Sequence, residues 1–192
     1  MSDEQRQSLP VFPLNTVLFP SGKLPLRIFE PRYVDMISHC GREGIGFVVV
    51  AIKAGHEAGE PATPYDLGTE VRIDDWDQDE NGLLLIDCSG VAKVSLTDSW
   101  LEHSGLRFAH VRRFPDEPEL PVSPIDMPLW GVLEQFGIEA ESPSQRNASW
   151  LSARLVERLP LPLQIKQELL CMNDPTERLA EIQCQLIGLM QA

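Results

Sequence analysis

The stretch Leu18-Phe-Pro-Ser-Gly-Lys-Leu-Pro-Leu-Arg-Ile-Phe-Glu-Pro-Arg-Tyr33 contains, in this order, signals for a strand end, a turn, a second strand and the start of a helix. The apolar segment that leads into it, 11–19, is β-prone, but Pro13 and Pro20 remove backbone donors. The pattern therefore predicts an edge strand or two short strands over 11–19. Ser21-Gly22 then predicts a turn, and 24–29 is again extended.

A helix is predicted to begin at Pro31, because proline suits the first helical position and the apolar residues after it have helical spacing. Gly41 or Gly44 is expected to end this helix. The apolar residues that recur at the helical spacing are Tyr33, Met36, Ile37 and Cys40.

The chain from 46 to 114 reads mainly as strands. Gly46 to Ile52 is a continuous apolar run, which is typical of a strand buried on both faces. Thr69–Trp76 and Leu83–Cys88 flank Asn81-Gly82, the strongest hairpin signal in the sequence. Many short strands joined by turns predict a closed or nearly closed barrel. The remaining segments are expected to be a long loop over 54–68 and strands over 90–96 and 106–114.

The acidic, proline-rich stretch 115–124 marks the best domain boundary, because the hydrophobic period changes there from two to about 3.6. Asp174-Pro175-Thr176-Glu177 combines an N-cap, a first-turn proline and a capping-box glutamate. We therefore predict an α+β chain with a β domain over 1–118 and a helical bundle domain over 119–192. Helices are expected near 126–137, 147–159, 162–173 and 175–190.

Charge and apolar patterning limit the classes of partner. The chain has 29 acidic and 16 basic residues and a net charge of −13, so it lacks the basic footprint of a phosphate-backbone binder. Its longest apolar run, 45–52, is too short to span a bilayer. The four cysteines form no CxxC pair, which favours free thiols in a reducing compartment. We expect a cytoplasmic protein that binds no membrane, no metal and no nucleic acid.

The order of these motifs resembles the Lon protease N-terminal (LON substrate-binding) domain family. The family pattern opens with Pro-Leu and a Val-Leu-Phe-Pro-Gly-like turn, and continues with a second Pro-Leu and Ile-Phe-Glu-x-Arg-Tyr. Lys93 stands where the family often has arginine. The strings that carry the resemblance are Phe12-Pro-Leu-Asn-Thr-Val-Leu-Phe-Pro-Ser-Gly22, Leu24-Pro-Leu-Arg-Ile-Phe-Glu-Pro-Arg-Tyr33, Gly46-Phe-Val-Val-Val50, Gly68-Thr-Glu-Val-Arg-Ile73 and Gly82-Leu-Leu-Leu-Ile-Asp-Cys-Ser-Gly-Val91.

The resemblance implies a PUA-like β pseudo-barrel with one inserted helix, followed by a C-terminal helical bundle. In full-length Lon this region recognises substrate polypeptide, ahead of an ATPase and a peptidase domain. The sequence holds no Gly-x-x-x-x-Gly-Lys-Ser/Thr phosphate loop. We therefore expect a free-standing, non-catalytic module without a cofactor, whose partners are unfolded or exposed polypeptide segments and a separate protease. Its oligomeric state is left open.

Two alternatives stay open at this point. PUA-like folds elsewhere bind RNA, which the acidic charge opposes. A small enzyme with a dispersed site is the other alternative, although the sequence contains no Gly-x-Ser-x-Gly elbow and no His-x-x-x-His pair.

The predicted peptide contacts begin with the proline-broken segment, which we expect to leave an apolar, partly open edge where an extended peptide docks by strand addition. Its candidate residues are Leu14, Val17, Leu18 and Phe19.

Arg27 and Arg32 are further candidates, as a polar rim around that groove. The competing interpretation is structural, and in it these arginines join Glu30 and Tyr33 in a network that fastens the helix to the barrel.

Two other features have more ordinary explanations. Asp77-Gln-Asp-Glu-Asn-Gly82 matches the first six positions of an EF-hand loop, but Cys88 stands where the closing glutamate would be, so a solvated hairpin tip is expected. The four tryptophans are expected to fill core or interface positions. They are Trp76, Trp100, Trp130 and Trp150.

Overall fold

The computed structural model describes residues 7–80 and 82–191. The chain divides into two compact units, Met1–Pro115 and Asp116–Ala192, and each is described by itself. The first unit contains strands and one helix, and the second contains helices. In the first unit the elements are β1 (Gln7–Leu14), β2 (Lys23–Ile28), α1 (Pro31–Glu43), β3 (Phe47–Ala54), β4 (Thr63–Gln78), β5 (Leu84–Leu101) and β6 (Arg107–Arg113).

The strands of the first unit form one mixed sheet whose pairings close on themselves. β1 pairs in parallel with β3, and the pairs β3–β4, β4–β5, β5–β6 and β6–β1 are antiparallel. β2 joins the sheet through β5, and its other side faces no strand in the described part of the chain. The predicted α+β class is confirmed by this sheet and the helices.

β1 lies between two strands, so the prediction of an edge strand is wrong. The physical reason is that its halves use different neighbours: Gln7–Val11 pairs with β6, and Val11–Leu14 pairs with β3. Pro10 is opposite Phe108 of β6, and Pro13 is opposite Val50 of β3. Each proline therefore has a partner strand on one side only. On the side without a partner, its missing N–H costs no ladder hydrogen bond.

β5 is one strand where the sequence suggested two, because Gly90 does not interrupt it. A Cβ atom at residue 90 would lie 2.2 Å from the backbone oxygen of Phe19, so this position requires the small residue for a close approach of two backbones. β4 also begins at Thr63, inside the predicted loop 54–68. The predicted β4–β5 hairpin is confirmed, although Asn81 of its turn lies outside the described residues.

α1 covers one side of the sheet and has the predicted limits. Pro31 occupies its first turn, and Gly44 caps its C-terminus with φ of 64°. The four residues predicted to recur on its apolar face are buried, and they pack in one cluster with Phe47 and Val49 of β3. Val48 and Val50 lie in a second cluster, so β3 is buried on both faces as predicted.

The second unit has helices at the four predicted places, and α3 contacts the other three. Asn147 caps α3 by accepting a 2.8 Å hydrogen bond from the Trp150 amide. Asp174 caps α5, as predicted, by accepting from the amides of Thr176 and Glu177. The helices are α2 (Leu129–Glu134), α3 (Ala148–Arg158), α4 (Leu163–Cys171) and α5 (Pro175–Gln191). In the described residues of the chain, no helix is long and apolar enough to cross a membrane.

Arg178 has the largest fully buried side chain among the described residues, and its guanidinium has several acceptors. It donates to both carboxylate oxygens of Glu117, to Ser152 Oγ at 3.0 Å and to the carbonyls of Leu169 and Met172 at 3.0 and 2.8 Å. Because a buried cation is tolerated only with compensating charge and hydrogen bonds, Glu117 ties the segment before α2 to helices α3, α4 and α5.

We predict that Glu117→Gln lowers the free energy of unfolding of the helical unit by about 3 kcal/mol, because it leaves the Arg178 charge buried without its partner. Urea unfolding followed by helical circular dichroism measures this. Glu119→Gln, an exposed carboxylate two positions away, is the matched control. Equal stability of the two variants would contradict the prediction.

Candidate functional site

A β-bulge at Asp74 shapes the region of β4 beside α1. Ile73 is opposite Cys88 of β5, and Asp75 is opposite Asp87, so Asp74 is the extra residue of β4. Because of the extra residue, Trp76 is opposite Ile86 and shares a face of the sheet with Ile73. In a strand without the bulge, residues three apart would point to opposite faces.

The Asp74 carboxylate holds the bulge by contacting three strands. It accepts hydrogen bonds from Ser89 Oγ of β5 and, at 2.9 Å each, from Lys23 Nζ of β2 and Arg72 Nε of β4. The Ser89 hydroxyl, then Lys23 and Arg72, hold the pKa of Asp74 well below its usual range. Asp74 is therefore ionised at neutral pH and fixed in place.

Trp76 is 68% exposed, and it lines a cavity of about 720 Å³ between the C-terminal half of α1 and β4. We call this the α1–β4 cavity. Its polar rim includes Arg42, Arg72 and Asp75. The apolar side chains that line it are Ile37, Cys40, Ile45, Ile73, Trp76 and Leu84.

A second cavity, of about 610 Å³, lies against the middle of β2, the C-terminal end of β4 and the start of β5. We call it the three-strand cavity. It also includes Asp75 and Trp76, so the two cavities meet at these residues. We refer to the residues that line the two cavities together as the Trp76 surface. The other residues of the three-strand cavity are Pro25, Leu26, Arg27, Asp77, Leu85, Ile86 and Asp87.

A smaller cavity, of about 220 Å³, lies on the other side of β2. Phe29, which is 67% exposed, lines it together with Leu14, Arg27 and Glu57. β2 thus contributes to two cavities that each contain a large exposed apolar side chain, Trp76 in the three-strand cavity and Phe29 in the smaller one. Such patches are typical of interaction surfaces when they adjoin a groove.

Comparisons with known proteins identify the family of this chain. The family model of the ATP-dependent protease La (LON) substrate-binding domain matches residues 8–126. A crystal structure of a Lon N-terminal domain protein from Xanthomonas campestris is 33% identical, with a TM-score of 0.78, and the alignment covers 93% of this chain and 98% of that one. The chain belongs to the LON substrate-binding domain family.

Another LON structure shows the fold alone. The N-terminal domain of the Mycobacterium avium complex Lon protease is 15% identical with a TM-score of 0.63, and the alignment covers 92% of this chain and 96% of that one. No curated protein matches the chain. The whole Trp76 surface lies within the residues that the LON family model matches.

The prediction of an open apolar edge is wrong for Val17, Leu18 and Phe19. Their side chains are 1–3% exposed, and none lines the three cavities. The reason is that hydrogen bonds outside the strand ladder hold this segment down: Leu18 accepts from the Thr69 hydroxyl, and Ser21 donates to Gly90 at 2.9 Å. Although its prolines have no N–H to donate, the segment is therefore held by hydrogen bonds to other parts of the sheet.

The other predicted contacts are divided between surface and interior. Arg27 is exposed and lines the three-strand cavity, and Leu14 lines the small cavity although it is 8% exposed. Arg32 forms a 2.8 Å ion pair with Glu30, with 10% of its side chain exposed, and its guanidinium lies 4.8 Å from the Tyr33 ring centre. This geometry favours the structural interpretation for Arg32.

Sequence reasoning missed Trp76, which was expected to fill a core or interface. The signal that could have found it is the position of Trp76 at the end of an alternating strand, directly before the acidic hairpin tip. The tip itself forms a turn in which Asp79 Oδ1 accepts from the Leu83 amide at 2.8 Å. Over 7–80 and 82–191, no three His, Cys, Asp or Glu side chains are grouped to hold a metal ion.

We predict that Asp74→Asn destabilises the first unit by about 1 kcal/mol at neutral pH, because it removes the charge that Lys23 and Arg72 face. The folded-state pKa of Asp74 is lowered, so its stabilisation is present above the unfolded value of about 3.9 and is lost as pH falls below it. The difference from the wild type should therefore shrink below about pH 4.

Urea unfolding of wild type and variant between about pH 7 and pH 3 measures this difference. Asp66→Asn, which changes an exposed carboxylate of the same strand, is the control and should leave the stability unchanged. A difference that is constant down to pH 3 would refute the role assigned to the Asp74 charge.

Proposed function

We propose that this LON domain is a non-catalytic recognition module that binds exposed or unfolded polypeptide segments on the Trp76 surface. The single observation that carries the proposal is the 68% exposed indole of Trp76 beside an apolar cavity of about 720 Å³. A buried tryptophan contributes 150–250 Å² of contact area, at about 25 cal/mol per Å² of apolar surface. Covering Trp76 with a peptide side chain therefore offers a few kcal/mol of binding energy.

The open side of β2 is a second place at which a peptide could find backbone groups. Pro25 has no N–H. In an antiparallel pair, every second residue directs both its N–H and its C=O towards the partner strand, and the residues between direct both groups away from it. An edge proline directs its nitrogen away from the partner strand. Lys23 and Arg27 would then offer the N–H groups of the open side, and the missing donor at Pro25 limits how far a peptide could pair as an added strand. Side-chain contacts at the cavities would consequently dominate.

The groups at the Trp76 surface suit binding better than catalysis. A general acid or base needs a pKa near the working pH, whereas hydrogen bonds and cations hold Asp74 ionised. Burial raises the pKa of the Cys40 thiol to about 11, which makes it a poor nucleophile at neutral pH. The net charge of −13 also disfavours a nucleic-acid partner.

We further propose that the module acts in the cytoplasm, as an adaptor that delivers clients to a separate protease or as a regulator of one. The family membership supports a substrate-recognition role. For the fold, we propose that the closed cycle of strand pairings is a PUA-like pseudo-barrel over 1–118 and that the helices of 119–192 form a bundle. The chain order of strands, then helices, supports this division.

We predict that Trp76→Ala weakens binding of an apolar peptide by at least about tenfold, because tryptophans at the centre of an interface are typical hot spots. A fluorescein-labelled peptide with a Phe-x-Leu core, titrated with the full chain and followed by anisotropy, measures the change.

Trp100→Ala is the matched control for this experiment. Trp100 is a partly exposed tryptophan on β5 that stacks on Phe108 and lines none of the three cavities. The Trp100→Ala variant should bind the peptide within about twofold of the wild-type affinity. If both variants bind the peptide as the wild type does, or if the wild type binds none, the proposed function is wrong.

A further inference from the structure

Three carboxylates face the three-strand cavity from neighbouring strands. Asp75 of β4 is directly opposite Asp87 of β5, and Asp77 is two residues further along β4. The basic side chain that lines the same cavity is Arg27, so carboxylates outnumber guanidinium groups there by three to one. All three aspartates are exposed.

This arrangement is unfavourable for the free protein. Like charges directly opposite each other on paired strands destabilise a sheet. Within the described residues, no ion pair joins Asp75, Asp77 or Asp87 to a cation, whereas the neighbouring Asp74 has both Lys23 and Arg72. Asp75 and Asp77 each accept a hydrogen bond from the next amide in the chain, and these bonds do not neutralise the charge.

The charged groups lie beside the apolar contact. Asp75 and Trp76 belong to both the three-strand cavity and the α1–β4 cavity. Neighbouring residues of an extended chain are about 3.3 Å apart and direct their side chains to opposite sides. A segment that passes Trp76 can therefore place one side chain in each cavity.

We propose that the Trp76 surface selects extended polypeptide segments in which a lysine or arginine stands beside a bulky apolar residue. The apolar side chain occupies the α1–β4 cavity, and the cation lies among Asp75, Asp77 and Asp87 in the three-strand cavity. This inference rests on the proposed function and adds the chemistry of the bound segment. Binding then relieves the repulsion between Asp75 and Asp87, which the free protein leaves in place.

The test uses three labelled peptides with the same Phe-x-Leu core, whose flanking positions are lysine, glutamine or glutamate. Titration of the full chain at about 0.05 M ionic strength should give the affinity order lysine, glutamine, glutamate. About tenfold should separate the first from the last, because exposed charge pairs each contribute little. Raising the ionic strength to about 0.5 M should reduce this ratio to roughly twofold.

The variant Asp75→Asn/Asp77→Asn/Asp87→Asn separates the local site from the overall acidity of the chain. It should reduce the lysine-to-glutamate ratio to less than about twofold and leave the glutamine peptide's affinity unchanged. The control Glu60→Gln/Asp66→Asn/Glu102→Gln removes the same charge at exposed positions outside the cavities and should keep the ratio. Circular dichroism confirms that both variants are folded.

Three results would overturn the inference. Equal binding of the three peptides to the wild type refutes the charge preference and leaves the proposed function standing. An equal ratio in the two triple variants shows that the preference comes from the whole chain and not from the three aspartates. Absence of binding for all three peptides refutes the proposed function and this inference with it.

Discussion

Asp74 joins three strands at one point, and the position of Trp76 depends on it. Its carboxylate contacts Lys23 on β2, Arg72 on β4 and Ser89 on β5. The bulge that these contacts hold shifts the pleat of β4 by one residue, which brings Trp76 to the face that carries Ile73. A polar interaction that joins β2, β4 and β5 thus sets the place of an apolar contact surface beside α1.

The free protein keeps two unfavourable features close to this bulge. One is the Trp76 side chain, most of which faces solvent, and the other is the opposition of Asp75 and Asp87. Neither helps the first unit to fold, since exposed indole surface and facing carboxylates both cost free energy. Local departures from the most stable choice are typical of functional sites, where binding supplies the compensation. Their proximity is the reason that we assign apolar and cationic recognition to one surface.

The fold could be predicted where local chemistry decides the structure. α1 begins at Pro31 and ends at Gly44 because proline and left-handed glycine act locally. Prediction failed where distant backbone contacts decide: Gly90 lets β5 pass Phe19 without a break, and a hydrogen bond from Thr69 buries the segment around Leu18. Of the predicted contacts, Arg27 and Leu14 line cavities. The alternating pattern alone could not place Trp76, because the bulge at Asp74 changes the facing of every later residue of the strand. Its position directly before the acidic hairpin tip was the available indication.

We propose that polypeptide binds where the two cavities of the LON domain meet, at Asp75 and Trp76. Amide chemical-shift mapping of the ¹⁵N-labelled full chain, titrated with the lysine-flanked Phe-x-Leu peptide, tests this most directly. We expect the largest shifts in 37–46, 72–77 and 84–87, together with the Trp76 indole N–H. Shifts concentrated in 97–110, with the Trp76 indole unchanged, would contradict it.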